Sequence, residues 1–553
     1  MESTETKKVS LFSFPKNFWT VIIMEFFERG SYYGVRSILS VYLVLAVADG
    51  GLGFSKSSVG VITSTFQPML YLLPIVAGAM ADRFGYRKTL VFAFFVMSLG
   101  YLLTSMMTSY SMVFAALILM VVGAGTFKPI ISGTIARVTD KTNSTLAFGI
   151  YYWTINLGAF LFPLILVPIL KQYSYSYVFI MAAVGTGWLL ILNFLGYKEP
   201  IKLDKSVAQK KIISILASAF ELLYSPILIL YFLLEKGIKE KFIVTAFITI
   251  IINLLIILLN PTILLLEFFI ALLLFILFLR FKHHSYKLLL YYYSSLILLL
   301  LSLFVFFNFD FQEVFGYTVI FLVLNFLIWF IDLKEKQNYY PHSKFILMIV
   351  IYSGFWILYF QQFDSVLWYF KDYVDKTPIN NAVNGILGLF MTNPNWQFDV
   401  EHVTVINAGT IILLQIFVSN IVKNKKALPT MITGIAIGTI GIAILAISTH
   451  PFVFIAGIFI FSVGEMTAHP KFISYVGLIA PEDKKAVYLG YSFLYGVLGS
   501  GIGGILGANL YVHFVDNLKN PTMLWVIFAM IGVATIIGLL LFNKYLAPKH
   551  VDA

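Results

Sequence analysis

The chain has 553 residues and no cysteine, and it is 59% hydrophobic and 17% aromatic but only 12% charged, against about 25% charged in an ordinary soluble protein. So few charged side chains cannot clothe a water-facing surface of this length, which excludes a soluble globular protein and requires most of the outer surface to face lipid. The lack of cysteine excludes thiolate zinc sites, iron–sulfur clusters, disulfides and cysteine nucleophiles. The formal charge of +11 reads as membrane topology rather than nucleic-acid binding.

Residues 1–16 lack the apolar core of a signal peptide, and the first apolar run carries Glu25, Glu28 and Arg29, so that run is expected to stay in the mature protein. Apolar stretches of crossing length, about 17–25 residues each, lie near 17–46, 58–80, 88–107, 111–135, 147–170 and 177–197. A polar linker, IKLDKSVAQKK, opens an insert over 201–342, after which stretches recur near 343–371, 402–422, 428–448, 452–475, 486–512 and 522–545, leaving a tail at 546–553. The pattern predicts an all-α integral membrane protein with a six-helix unit over 17–200, inserted helices, and a second six-helix unit over 343–545.

With a cytoplasmic N-terminus, 29 Lys and Arg fall inside, five outside and four within spans. The positive-inside rule then puts both termini in the cytoplasm. The same parity forbids 212–234 from crossing. Ser225-Pro226 interrupts that segment, as in an interfacial helix or a bent pair of short helices. The rest of the insert reads as two apolar hairpins, about four spans, with two longer helices as the alternative.

In the first stretch Glu25, Glu28, Arg29, Tyr32 and Arg36 fall at offsets of 0, 3, 4, 7 and 11, which places them on one helical face. At about 2.5–3.5 kcal/mol of insertion cost per mid-membrane charge, Glu25, Glu28 and Arg29 must face a hydrated cavity or each other. A packing-only patch would need no partner exchange. A carrier needs such charges at mid-membrane.

Glu25-Phe-Phe-Glu28-Arg29-Gly-Ser-Tyr32-Tyr33 resembles the E-x-x-E-R-x-x-Y-Y signature of the proton-dependent oligopeptide transporters, a branch of the major facilitator superfamily. GAMADRFGYRK (78–88), GAGTFKPIISG (123–133), FGIYYWTINLGAF (148–160) and SVGEMTAHP (462–470) resemble further motifs of that group, in the same order. The resemblance implies a major facilitator fold, two six-helix bundles around a central cavity. It implies proton-coupled symport of di- and tripeptides across the cell membrane by a monomer, with no cofactor and no metal. Glu25, Glu28 and Arg29 would handle protons. Peptide carboxylate would meet Arg29 and Lys128, peptide amine would meet Glu465, and Asn156 and Asn407 would hold termini or backbone. Asp82 and Arg83 would latch the bundles, and a Lys128–Glu465 pair would close the inner gate. Tyr32, Tyr33, Tyr71, Tyr152 and Trp356 would wall a sequence-tolerant site.

Two positions depart from the family pattern. Phe355-Trp356-Ile357-Leu358-Tyr359-Phe360-Gln361 keeps Trp356 and Gln361, but Phe360 stands where the family has a glutamate that pairs with the first-span arginine and takes part in proton coupling. Asp364, one turn on, either substitutes for that acid or belongs to a polar patch near the outer mouth. His469 stands where the family has serine, and is either a ligand for an acidic group or a hydrogen-bonded helix residue. With Lys471, these departures keep open a same-fold carrier of a small non-peptide anion with altered coupling. An intramembrane enzyme is disfavoured by the lack of His-Glu-x-x-His, Gly-x-Gly-Asp and cysteine.

Overall fold

A computed structural model describes residues 14–140, 143–200, 340–480 and 485–547. The insert at 201–339, with its expected interfacial helix and four spans, lies outside the described residues. The chain forms two units, one of residues 1–219 and 349–553 and a second of 220–348; of the second, only the first turns of one helix are described.

The described chain is a succession of long helices: α1 Lys16–Val44, α2 Lys56–Phe84, α3 Tyr86–Met106, α4 Tyr110–Val138, α5 from Ser144 and α6 Tyr175–Gly196, then α7 Tyr340–Phe360, α8 Val400–Val422, α9 Ala427–Ile444, α10 Pro451–Ile479, α11 Leu494–Leu510 and α12 Pro521–Tyr545. Among the described residues ten helices are long and apolar enough to cross a membrane. The chain is a multi-pass membrane protein. α1, at 29 residues, differs by carrying Glu25, Glu28, Arg29 and Arg36 along its length.

Helix punctuation follows local chemistry. Ser55 caps α2 by accepting from the Ser58 N–H at 3.1 Å, as N-cap serines do. Only Gly85 separates α2 from α3, and its φ of 94° lies where L side chains are strained. Glu199 then accepts from the first N–H groups of α3, Tyr86 at 2.9 Å and Arg87 at 3.0 Å, a carboxylate at a helix N-terminus. Arg87 donates to Phe194 O at 2.7 Å. The basic turn of GAMADRFGYRK is therefore tied to the end of α6 in its own bundle. Asp82 and Arg83 sit in the last turn of α2, and their side chains lie outside the described residues.

Three helices are interrupted. α5 runs to Leu161, passes through a π turn over Phe162–Leu166 and ends at Lys171. α7 tightens into a 3-10 turn at Gln361–Phe363, pivots at Asp364 and resumes over Ser365–Tyr373. α11 is preceded by a short helix, Lys485–Ser492, and ends in a π turn over Tyr511–Asn517.

In the first bundle α3 packs on α4 and α6, and α1 on α5 and α6; in the second α9 packs on α10 and α12, and α8 on α10. The bundles meet where α2 packs on α11 and α5 on α8. The α2–α11 seam needs small residues: a Cβ on Gly60 would lie 2.6 Å from Ala508 Cβ and 2.8 Å from Gly504 O, so the two backbones nearly touch.

Candidate functional site

α1 carries its charges inward. Glu25, Glu28 and Arg29 are all buried. The Arg29 guanidinium grips Glu28 with two hydrogen bonds, through Nε to Oε2 and through Nη2 to Oε1 at 2.6 Å, and reaches Glu25 Oε1 at 3.6 Å, one turn away. Its plane lies over the Tyr32 ring at 5.1 Å. Tyr32 in turn donates to Gln67 Oε1 of α2 at 3.2 Å. Lys128 of α4 lies within electrostatic range of Glu25, Glu28 and Arg29, and Tyr151 of α5 stands beside Glu25. Two carboxylates, one guanidinium and one ammonium form a quartet of zero net charge. Neutrality is the only cheap arrangement for four ionisable groups away from water.

Across the bundle interface, Glu465 of α10 accepts from Asn407 Nδ2 of α8 at 2.9 Å, and the same amide nitrogen donates to Ser462 Oγ at 2.9 Å. No ion pair between described residues joins Lys128 to Glu465. Lys128 Nζ instead lies 5.5 Å from the centre of the Tyr71 ring, a cation–π contact. Tyr71 bridges the halves, with Tyr495 of α11 at 6.1 Å and Phe360 of α7 at 6.2 Å. Tyr33 is within electrostatic range of both Arg29 and Glu465.

The second bundle supplies an aromatic wall. Trp356 stacks at a tilt on Tyr495 at 4.4 Å, and meets His469 at 5.1 Å, Tyr359 at 4.7 Å and Phe360 at 6.2 Å. Phe360, in the place of an expected acid, is buried in this wall and makes ring contacts in place of an ion pair. His469 Nδ1 lies 3.4 Å from the Tyr352 hydroxyl, so its imidazole is bound within the wall.

Other candidates are committed elsewhere. Gln361 Nε2 donates to Ile357 O and Gly503 O, both at 3.0 Å, and Gln361 Oε1 accepts from Ser365 at 2.8 Å; it clasps α7 to α11. Asn156 donates to its own helix at Tyr152 O, 2.9 Å, while Tyr152 stays within electrostatic range of Glu465. Asp364 pairs with Arg36 at 3.3 Å, not with Arg29. Lys471 Nζ caps the end of α8 through Lys423 O at 3.2 Å and Lys425 O at 2.7 Å.

The Arg36–Asp364 pair belongs to a second set of contacts, at the rim where α1 ends, here termed the far rim. There Ser40 donates to Phe363 O at 2.6 Å and Trp368 Nε1 donates to Ser40 O at 3.0 Å. Lys171 bridges Asp399 at 2.6 Å and Glu401 at 2.5 Å, and Lys376 adds a bond to Asp399 at 2.9 Å. Lys56 binds Asp516 at 2.7 Å and lies over the Tyr511 ring at 4.2 Å. Burial would raise the Asp399 carboxyl, but Lys171 and Lys376 outweigh it and hold the group well below the usual carboxylate range. These contacts tie the first bundle to the second three times, through α1–α7, α5–α8 and α2–α11.

Sequence reasoning did not single out Gln67, Tyr151, Tyr352 or Tyr495, nor the far-rim ties. Arg36 was visible as the last member of the α1 stripe, but its partner was not. Tyr495 sits in an aromatic-rich stretch with nothing to distinguish it from lipid-facing tyrosines.

The fold and the sequence match known proteins. Residues 26–331 match the Major Facilitator Superfamily, and the chain belongs to that superfamily. The match runs on through much of the region read from sequence as an insert. Over 201 residues the chain is 33% identical to a di-/tripeptide transporter of Lactococcus lactis subsp. lactis, covering 35% of this chain and 40% of that one. Over 194 residues it is 35% identical to dipeptide and tripeptide permease B of Aliivibrio fischeri, covering 34% of this chain and 37% of that one. The chain thus aligns with about two fifths of the length of these relatives. In fold it resembles a crystal structure of peptide transporter POT in complex with sulfate, with a TM-score of 0.61, 22% identity and coverage of 98% of this chain and 96% of that one. A POT family transporter in complex with 5-aminolevulinic acid gives 0.62 at 19% identity, covering 97% of each chain. These matches fall in the branch whose signature the first-span motif resembles.

Proposed function

We propose that this protein is a proton-coupled symporter of di- and tripeptides, working by alternating access in the cell membrane with both termini cytoplasmic. The buried charge balance carries the reading. Glu25, Glu28 and Glu465 oppose Arg29 and Lys128, so the ionised site holds one excess negative charge. A zwitterionic peptide with its carboxylate at Arg29 and Lys128 and its ammonium at Glu465 leaves that excess unchanged. One proton on Glu25 or Glu28 then brings the loaded site to zero, the state that crosses a low-dielectric barrier most cheaply. A peptide and a proton moving together cross on a neutral site, and the empty site returns with one negative charge, so each cycle carries one net positive charge inward. An anion without an ammonium group would leave Glu465 unmatched and add a second negative charge, which disfavours an anion carrier.

The relatives' names support the substrate class. Phe360 offers no proton site, so the proton-handling role falls to Glu25 and Glu28, with Arg29 exchanging between Glu28 and the peptide carboxylate. The far-rim ties hold the bundles together on one side, leaving substrate exchange to the side where α1 begins. Asp82 and Arg83 are assigned to the near-side latch by their motif. The lack of a nucleophile–base or metal motif in the sequence supports transport rather than catalysis, and a monomer suffices because one chain supplies every group named. The test is dipeptide uptake into proteoliposomes over a range of pH, comparing wild type with Glu25→Gln. An inward proton gradient should accelerate the wild type and not the variant; equal acceleration of both removes Glu25 from the mechanism.

A further inference from the structure

Against the α5–α8 seam lies an almost wholly apolar groove of 420 Å³, lined by Phe160 and Leu164 from α5, His402 and Leu413 from α8, Trp396 before α8 and Phe459 from α10. Its residues come from both bundles. The groove opens toward the membrane: Leu413 is 79% exposed and Phe459 is 42% exposed.

Of the polar side chains in the lining, the Thr410 hydroxyl is satisfied by donating to Ile406 O at 2.6 Å, and His402 is not. His402 is the third residue of α8 and completes a capping box with Asp399. The Asp399 N–H donates to His402 Nδ1 at 3.0 Å, so the acceptor nitrogen is used and the ring proton resides on Nε2. The residue is 3% exposed and Nε2 has no hydrogen-bond partner among the described residues. A buried donor without an acceptor is costly, so this nitrogen calls for an acceptor from outside the protein.

The dimensions point to the occupant. From His402 to Leu413 the groove follows α8 for eleven residues, about 16 Å at 1.5 Å per residue, the depth of one leaflet of a hydrocarbon core of about 30 Å. His402 sits at the rim end, at the level where a diacyl lipid carries its ester carbonyls, and Trp396 lies beside it with ring centres 5.0 Å apart, an interfacial placement usual for tryptophan.

We propose that this groove binds one acyl chain of a diester phospholipid, with His402 Nε2–H donating to the lipid's ester carbonyl oxygen. The lipid bridges the two bundles beside the Lys171–Asp399–Glu401 tie. The test is native mass spectrometry of the full chain in detergent with added diester phosphatidylethanolamine or its diether analogue, which keeps the chains and headgroup but lacks the carbonyls. Wild type should retain the diester lipid about fivefold more than the diether, the factor that one hydrogen bond of ordinary net strength gives. His402→Phe should hold both equally, and Leu413→Trp, at an exposed position that a larger ring can fill without disturbing the fold, should lose both. Equal retention of the two lipids by wild type, or unchanged retention by Leu413→Trp, overturns the proposal. A dimer that Leu413→Trp abolishes, with no lipid adduct in wild type, would assign the groove to a second copy of the chain instead.

Discussion

The far rim and the mid-membrane site use the same residue types to opposite ends. At the far rim each tie spans the bundles: Arg36 to Asp364, Lys171 to Asp399 and Glu401, Lys56 to Asp516. At mid-membrane the strongest charge pairing among the described residues is confined to one helix, Arg29 to Glu28 and Glu25, and among those residues Glu465 across the interface is held by a neutral amide. A pair that crosses the interface favours one arrangement of the bundles. A pair within one helix travels with it and leaves both arrangements equally charged, so its partners are free to exchange with substrate. The difference is the one expected between a latch and a binding site.

Substitutions should expose that difference, most strongly at Arg29. Arg29→Leu leaves Glu25 and Glu28 buried with Lys128 alone, and breaking a buried pair costs about 3–5 kcal/mol. Peptide uptake in proteoliposomes should fall at least about 100-fold, since a 2.7 kcal/mol loss of binding suffices for that factor. Uptake within tenfold of wild type would show that the quartet is not the substrate site.

Arg36→Leu should act on the latch rather than the site. The absence of cysteine makes a single Ser57→Cys reporter on the α2–α11 seam clean. Its reaction with a membrane-impermeant maleimide should speed up in the Arg36→Leu background and return most of the way with Arg36→Lys, while the thermal midpoint drops. Unchanged reactivity would reduce the Arg36–Asp364 pair to packing.

Lys56→Ala should repeat the drop in thermal midpoint more weakly, because Asp516 is more than one-third exposed and screened pairs contribute about 1 kcal/mol or less. A larger effect than that of Arg36→Leu would invert the ranking of the ties.

The smallest effect expected is on pH. Asp399 has its carboxyl depressed in the folded protein, so its contribution to stability is present above the unfolded value of about 3.9 and is lost only as pH falls below that toward the folded value. Thermal midpoints of wild type and Asp399→Asn should therefore differ by a constant amount from pH 5 to 8 and converge in stronger acid. Convergence already at pH 6 would place a physiological proton switch in the latch instead of on α1. Phe360→Leu should likewise leave the pH profile of uptake unchanged, since neither side chain titrates.

Much of this protein is legible in its sequence because lipid is an unforgiving solvent. Every spanning segment must satisfy its own backbone, so long apolar runs have to become helices, and the rare charges among them have to face inward. The composition alone therefore determined a multi-pass helical protein, and the α1 stripe marked Glu25, Glu28 and Arg29 as charges that must turn inward, where the structure buries them. Partners separated by hundreds of residues carry no local signal. Asp364 was equally consistent with pairing to Arg29 or with a polar patch at the mouth, and only the pivot of α7 sets it against Arg36. Gln361 read as a site residue because of its motif, and only the approach of α11 turns it into a clasp. His402 looked like any other histidine until the capping box fixed its free nitrogen. Sequence decided which residues cannot face lipid; the tertiary structure decided which of them face each other.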